Sequence, residues 1–169
     1  MARVLPVVFR WARLRSGAFR FVSELAISYR RSRAVSEGRP RLRSGPRAGD
    51  RLPDAPVMRD GRAAFLQQEL AGAAFHLLLC GPVERWDATS IKKLIDEHGR
   101  LLAVRHLARV ADGPDVLMDA DGEAMERLGL RQSGDVAQYL VRPDGYVAFR
   151  CGGRDLAAVR QYLARWQAP

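Results

Sequence analysis

The sequence predicts an α/β domain, a central mixed sheet flanked by helices, preceded by an amphipathic helix and an extended connector. Three observations predict it. From Phe75 onward, apolar runs alternate with stretches of helical periodicity, the pattern of strands joined by helical crossovers. Two late apolar runs are separated by Arg142-Pro143-Asp144-Gly145, a turn sequence that sends the chain back antiparallel. Before residue 57 there is one stretch of helical periodicity and then none.

Three spans follow, 1–28, 29–56 and 57–169. In the first, Val4, Val8, Trp11, Leu14 or Arg15, Ala18, Val22 and Leu25 recur at steps of three and four, with arginines on the opposite face, so an amphipathic helix is expected. Pro6 suits its first turn, where a missing N–H costs nothing. The apolar side carries Trp11, Phe19 and Phe21 and needs a cover, either the protein's own body or another domain. Residues 29–56 are dominated by Pro, Gly, Ser and Arg, without periodicity, and predict an extended connector laid over a surface.

In the third span, Val57-Met58 is a short strand candidate before the Asp60-Gly61 turn. Phe75–Cys80 is continuously apolar, as in a strand buried on both faces. Asp87 can cap a helix over 88–98 that Gly99 closes. A strand is expected over 101–110, a short helix over 121–128, strands over 137–141 and 146–151, and a closing helix over 154–166. That helix puts Leu156, Val159, Tyr162, Leu163 and Trp166 on one face. Strand–helix–strand–helix–hairpin–helix is the thioredoxin arrangement.

Composition limits the function classes. The chain has 169 residues, 47% of them hydrophobic, enough for one domain with a sizeable core and an added segment. The net charge is +9, but 12 arginines against Glu24 and Glu37 place a charge of +10 within residues 1–47. The remainder holds 16 basic and 17 acidic residues. A basic accessory protein binding nucleic acid through this segment is therefore one reading. A helix separated from an acidic neighbour is another, and nucleic acid is not the expected partner. No apolar run is long enough to cross a bilayer. Val4–Phe9 after Arg3 imitates a targeting peptide, yet Arg10, Arg13 and Arg15 interrupt it and no cleavage site follows. A cytoplasmic, reducing setting is expected.

Catalytic signal is sparse. Thioredoxin chemistry needs a CxxC at a helix N-terminus, where the dipole stabilises the thiolate and a second thiol resolves the mixed disulfide. Cys80-Gly81-Pro82-Val83 keeps Cys-Gly-Pro but has Val83 in place of the resolving cysteine, and Cys80 precedes the Asp87 cap by about seven residues. Ser133-Gly134-Asp135-Val136 stands where a cis-proline would precede the next strand. A monothiol oxidoreductase using Cys80 is a rival reading; a small core residue is the favoured one. Cys151, beside Gly152-Gly153, reads as turn chemistry. His76, His98 and His106 have no metal-ligand spacing. No catalytic, cofactor-binding or metal-binding residue is assigned.

Three stretches together carry a resemblance. The first is Ile27-Ser28-Tyr29-Arg30 with Ser32, and the second is the run 45–51 (GPRAGDR) with Pro53-Asp54-Ala55-Pro56. The third is the run 139–150 (YLVRPDGYVAFR). In this order they resemble the C-terminal region of FAD-dependent aromatic-ring hydroxylases of the p-hydroxybenzoate hydroxylase fold, close to phenol, polyketide and rifampicin monooxygenases. In that family NADPH reduces FAD and the flavin transfers oxygen to an aromatic ring. The resemblance implies a thioredoxin-like terminal region without thioredoxin activity, used for packing on the flavin domain or for subunit contacts.

No G-x-G-x-x-G turn occurs, so no FAD or NADPH site is expected in this chain alone. Ala48-Gly49-Asp50 imitates the family's second flavin motif, in which an aspartate binds the ribityl chain. The buried strand before it and the histidine after it are missing, so Asp50 is not expected to touch flavin. The resemblance therefore implies a truncated or stand-alone, redox-inactive module. It would partner a flavin-binding domain in cis or trans, or self-associate through the helix around Trp11–Leu25.

Overall fold

An apolar run without polar interruption fits only where a sheet is covered on both faces, and Phe75–Cys80 occupies that place. A computed structural model of the chain describes residues 28–166, apart from 100, 111, 112, 114 and 133. The helix expected over residues 1–28 lies outside them, Ser28 excepted.

The strands are β1 (Ser36–Glu37), β2 (Pro56–Arg59), β3 (Arg62–Phe65), β4 (Phe75–Cys80), β5 (Leu102–Ala108), β6 (Val116–Met118), β7 (Ala137–Val141) and β8 (Val147–Gly152). The helices are α1 (Leu66–Glu69), α2 (Ala88–His98), α3 (Glu123–Arg127) and α4 (Ala157–Ala164). They build one mixed sheet in the order β1-β8-β7-β4-β5-β6-β2-β3. Strands β4, β5 and β6 run parallel; β7 is antiparallel to β4, and β8 to β7. This is the predicted thioredoxin-like fold.

Side chains alternate across β4. Leu78 and Cys80 enter one core with Leu107, Leu128 and Tyr139, while Leu77 and Leu79 enter the other with Leu94, Phe149, Val159 and Tyr162. Helices α2 and α4 cover the second face; α3 and the segment before β2 cover the first. Asp87 caps α2 as expected, accepting from the Ser90 N–H at 2.8 Å.

Several boundaries differ from expectation. The connector over 29–56 is fastened into the fold: β1 pairs parallel with β8, and Leu52 and Ala55 are core residues. Strand β3 and helix α1 follow the Asp60-Gly61 turn, where no element was expected beyond it. A further strand, β6, sits between β5 and α3. The first turn of α3 is satisfied by buried Asp119, whose carboxylate accepts from the N–H groups of Ala124 (3.2 Å) and Met125 (2.8 Å). The closing helix is shorter than 154–166, and Trp166 leaves its apolar face, 57% exposed.

Candidate functional site

The three stretches that carry the resemblance converge in space. Asp50 is their meeting point. Its Oδ1 accepts from Ser28 Oγ (3.0 Å) and Arg30 Nε (2.6 Å), and its Oδ2 from Arg30 Nη2 (2.7 Å) and the Arg47 N–H (2.9 Å). Burial opposes ionisation of this carboxyl, but the donors from Arg30, Arg47 and Ser28 outweigh it and hold it below the usual carboxylate range. Both oxygens are thus engaged within the chain.

The backbone makes the same junction. The Tyr29 N–H donates to Gly49 O at 2.7 Å, and the Gly49 N–H donates to Val147 O at 2.7 Å. Gly49 has φ +93°, and a Cβ there would collide with the backbone of Tyr29 and Arg30, so only glycine fits. Above it the Tyr29 ring meets Tyr146 edge-on, centroids 4.9 Å apart, and the Arg142 guanidinium lies 5.3 Å from the Tyr29 centroid. Arg142 is itself held by Asp144 at 2.6 Å, inside the RPDG turn.

A second fastening comes from Arg150, at the end of the third stretch. Its side chain is 4% exposed. Nε lies 2.9 Å from both Glu37 oxygens, and Nη1 donates to Ser44 O at 2.8 Å. Glu37 in turn accepts from the Ala48 N–H at 2.9 Å. One arginine on β8 therefore ties down β1 and the strap behind it. Sequence reasoning noted both ends of these links, but not the links themselves.

The sulfurs lie elsewhere. Cys80 ends β4 and is fully buried. Burial, reinforced by the Asp119 charge, pushes its thiol far above the ordinary value. Cys151 is buried on β8, its thiol pushed up to about 12 by burial and then by Asp155. Neither stands at a helix N-terminus: Cys80 is followed by Gly81-Pro82 and a 3₁₀ turn, Val83–Arg85, before α2 begins. His76 lies in β4, His98 at the end of α2 and His106 in β5; among the described residues no His/Cys/Asp/Glu group is arranged to hold a metal. Beyond Cys80 a cavity of about 430 Å³ opens at the carboxyl ends of β4 and β5.

The fold is thioredoxin-like, with both Cys80 and Cys151 buried and an ionic strap held against the hairpin. The chain belongs to the aromatic-ring hydroxylase C-terminal family, whose model matches residues 45–169. That span takes in the second and third stretches; Ser28-Tyr29-Arg30 precedes it. No curated protein sequence matches the chain.

Among solved structures, a flavin-dependent monooxygenase, PieE, crystallised with FAD and substrate, is 24% identical with a TM-score of 0.59. The likeness covers 92% of this chain and 29% of PieE, so the chain spans under a third of that protein's length. A thiol peroxidase from Chromobacterium violaceum is 15% identical over 79% of this chain and 97% of its own, TM-score 0.61. AhpC of Mycobacterium bovis is 14% identical over 70% and 91%, TM-score 0.55. At these identities the likeness is one of fold.

Proposed function

We propose that this chain is a non-catalytic assembly module of an aromatic-ring hydroxylase, acting with a flavin-bearing body in cis or in trans. In the assembled unit, FAD reduced by NADPH supplies the oxygenating chemistry, and this domain supplies packing surface. The reading rests on one observation above all: the residues that carry the resemblance are spent on fastening residues 28–52 to the β7–β8 hairpin, and none surrounds a reactive group.

The surroundings of Asp50 do not favour a flavin. The Ala48-Gly49-Asp50 imitation of a flavin motif has its carboxylate filled by Ser28, Arg30 and Arg47, and Gly49 lies against the backbone of Tyr29 and Arg30. The buried Cys80 thiol argues against the monothiol reading. Without a body to cover it, the segment ahead of Ser28 would drive self-association in the cytoplasm. No helix among the described residues is long and apolar enough to cross a membrane.

Two measurements on the purified full chain test this. After incubation with FAD and NADPH followed by gel filtration, the protein is expected to carry no visible flavin absorbance. Light scattering is expected to give an oligomer that becomes monomeric when residues 1–27 are removed. A yellow protein fraction would overturn the non-catalytic reading, and a monomer unaffected by the deletion would overturn self-association.

A further inference from the structure

The opening beyond Cys80 has a floor and walls fixed by the fold. Gly81 follows β4 at φ +117°, and a Cβ on it would stand 2.7 Å from Asp135 O and 2.8 Å from Val136 Cγ1. The Gly81-Pro82 turn is therefore pressed onto the loop before β7 and floors the cavity. Val83, Val110, Met125 and Leu130 supply apolar wall. Met125 and Leu130 belong to the buried core, whereas Val110 is 71% exposed. Exposed apolar surface continuous with a hollow of this kind marks a contact site.

The charges on the wall indicate what fits. Glu84 and Asp135 place two negative charges there against one positive charge, on Arg109. Arg109 has its guanidinium over Gly122, just before α3. Asp135 accepts from the Gln132 N–H at 2.9 Å, and neither acid has a basic partner among the described residues. The rim favours a cationic occupant with an apolar side.

The chain itself carries such a segment. Residues 1–27 hold five arginines against Glu24, with Trp11, Phe19 and Phe21 on the side that needs a cover. They join the described domain at Ser28, which bonds to Asp50 near the β7–β8 turn, at the amino end of β4. The cavity lies at the other end of that six-residue strand, about 20 Å away. Two copies side by side and antiparallel therefore bring the Ser28 end of each beside the cavity of the other. We propose that the cavity receives residues 1–27 of a second copy, with Trp11 seated among Val83, Val110, Met125 and Leu130, and Arg10 and Arg13 facing Glu84 and Asp135. Reciprocal exchange fills both cavities and closes at a dimer. This rests on the reading that the segment ahead of Ser28 drives self-association, and it names the receiving surface.

Photo-crosslinking of the full chain with p-benzoylphenylalanine in place of Val110, alongside light scattering of the parent chain, tests it. The parent is expected to be a dimer, weakened by salt. Irradiation should give a product of twice the chain mass in which position 110 is joined to residues 1–27. Val110→Arg, at an exposed position, and Trp11→Ala should each raise the dimer dissociation constant about tenfold or more, with the melting temperature of the domain unchanged. A dimer without crosslinks to residues 1–27, or one unaffected by Val110→Arg, would overturn this docking and leave self-association standing. A monomeric parent, or crosslinks to residues 1–27 within a single chain only, would overturn both.

Discussion

The hairpin end of the sheet and the carboxyl end of β4 are made of different materials. Around the hairpin, Arg30–Asp50, Arg150–Glu37 and Arg142–Asp144 form charge-assisted pairs, with Tyr29 and Tyr146 packed edge-on beside them. At the end of β4, Cys80 is sealed in the core and the opening beyond it is largely apolar. The contrast shows where this fold concentrates its charged bonding. Here it is the part that holds a leading segment against the domain. A thiol enzyme of this fold would instead show an accessible, depressed-pKa sulfur at a helix N-terminus.

The largest effect that could break this comparison is expected at Arg150. Replacing it with alanine leaves the part-buried Glu37 carboxylate with only the Ala48 N–H and removes the Arg150 donor from the Ser44 carbonyl. The loss should be about 3–5 kcal/mol, read as a shift in the urea midpoint. Arg150→Lys should recover only part of it, because an ammonium cannot span both carboxylate oxygens and the carbonyl. A neutral result would show that the strap is held by something else.

Gly49→Ala comes next. A left-handed backbone forced on alanine, with its Cβ against Tyr29 and Arg30, should cost on the order of 1–3 kcal/mol. Limited proteolysis should then cleave at Arg30 or Arg31 faster than in the parent chain.

Titration of two groups near the hairpin end, Asp50 and His76, has a smaller effect. Asp50 is held below the usual carboxylate range, so its contribution is fully present above about pH 3.9 and is lost as pH falls through its folded value. His76, on β4, is pushed below the ordinary histidine value by burial and then by the Arg105 charge, so the fold favours its neutral form. The unfolded chain takes up the proton first, and stability should fall as pH drops below about 6.5. Asp50→Asn should flatten the acid limb alone, and His76→Gln the limb nearer neutrality alone. Urea midpoints across pH read both.

Much of the fold was legible where local chemistry decides it. The run 75–80, the Asp87 cap and the RPDG turn each carry their own signal, and β4, α2 and the β7–β8 hairpin stand where those signals put them. Strand β6 has three residues and no room for periodicity. Arg62-Ala63-Ala64-Phe65 forms an edge strand, mostly exposed, so no apolar alternation marks it. For residues 29–56 the sequence predicts a connector laid over a surface, and the bonds that fasten it into the fold are not local. Glu37 and Arg150 are 113 residues apart and Ser28 and Asp50 are 22 apart, distances at which spacing says nothing. The motif residues were visible as a resemblance; that they interlock became visible only in three dimensions.

The sulfurs offer the most direct test of the claim that this domain contributes assembly and no chemistry. Folded full-length protein treated with iodoacetamide between pH 7 and 9, followed by mass spectrometry, should show Cys80 and Cys151 labelled no faster than the chain unfolds. Rapid, single-site modification of Cys80 at neutral pH would mean an accessible thiolate at the end of β4, and would contradict it.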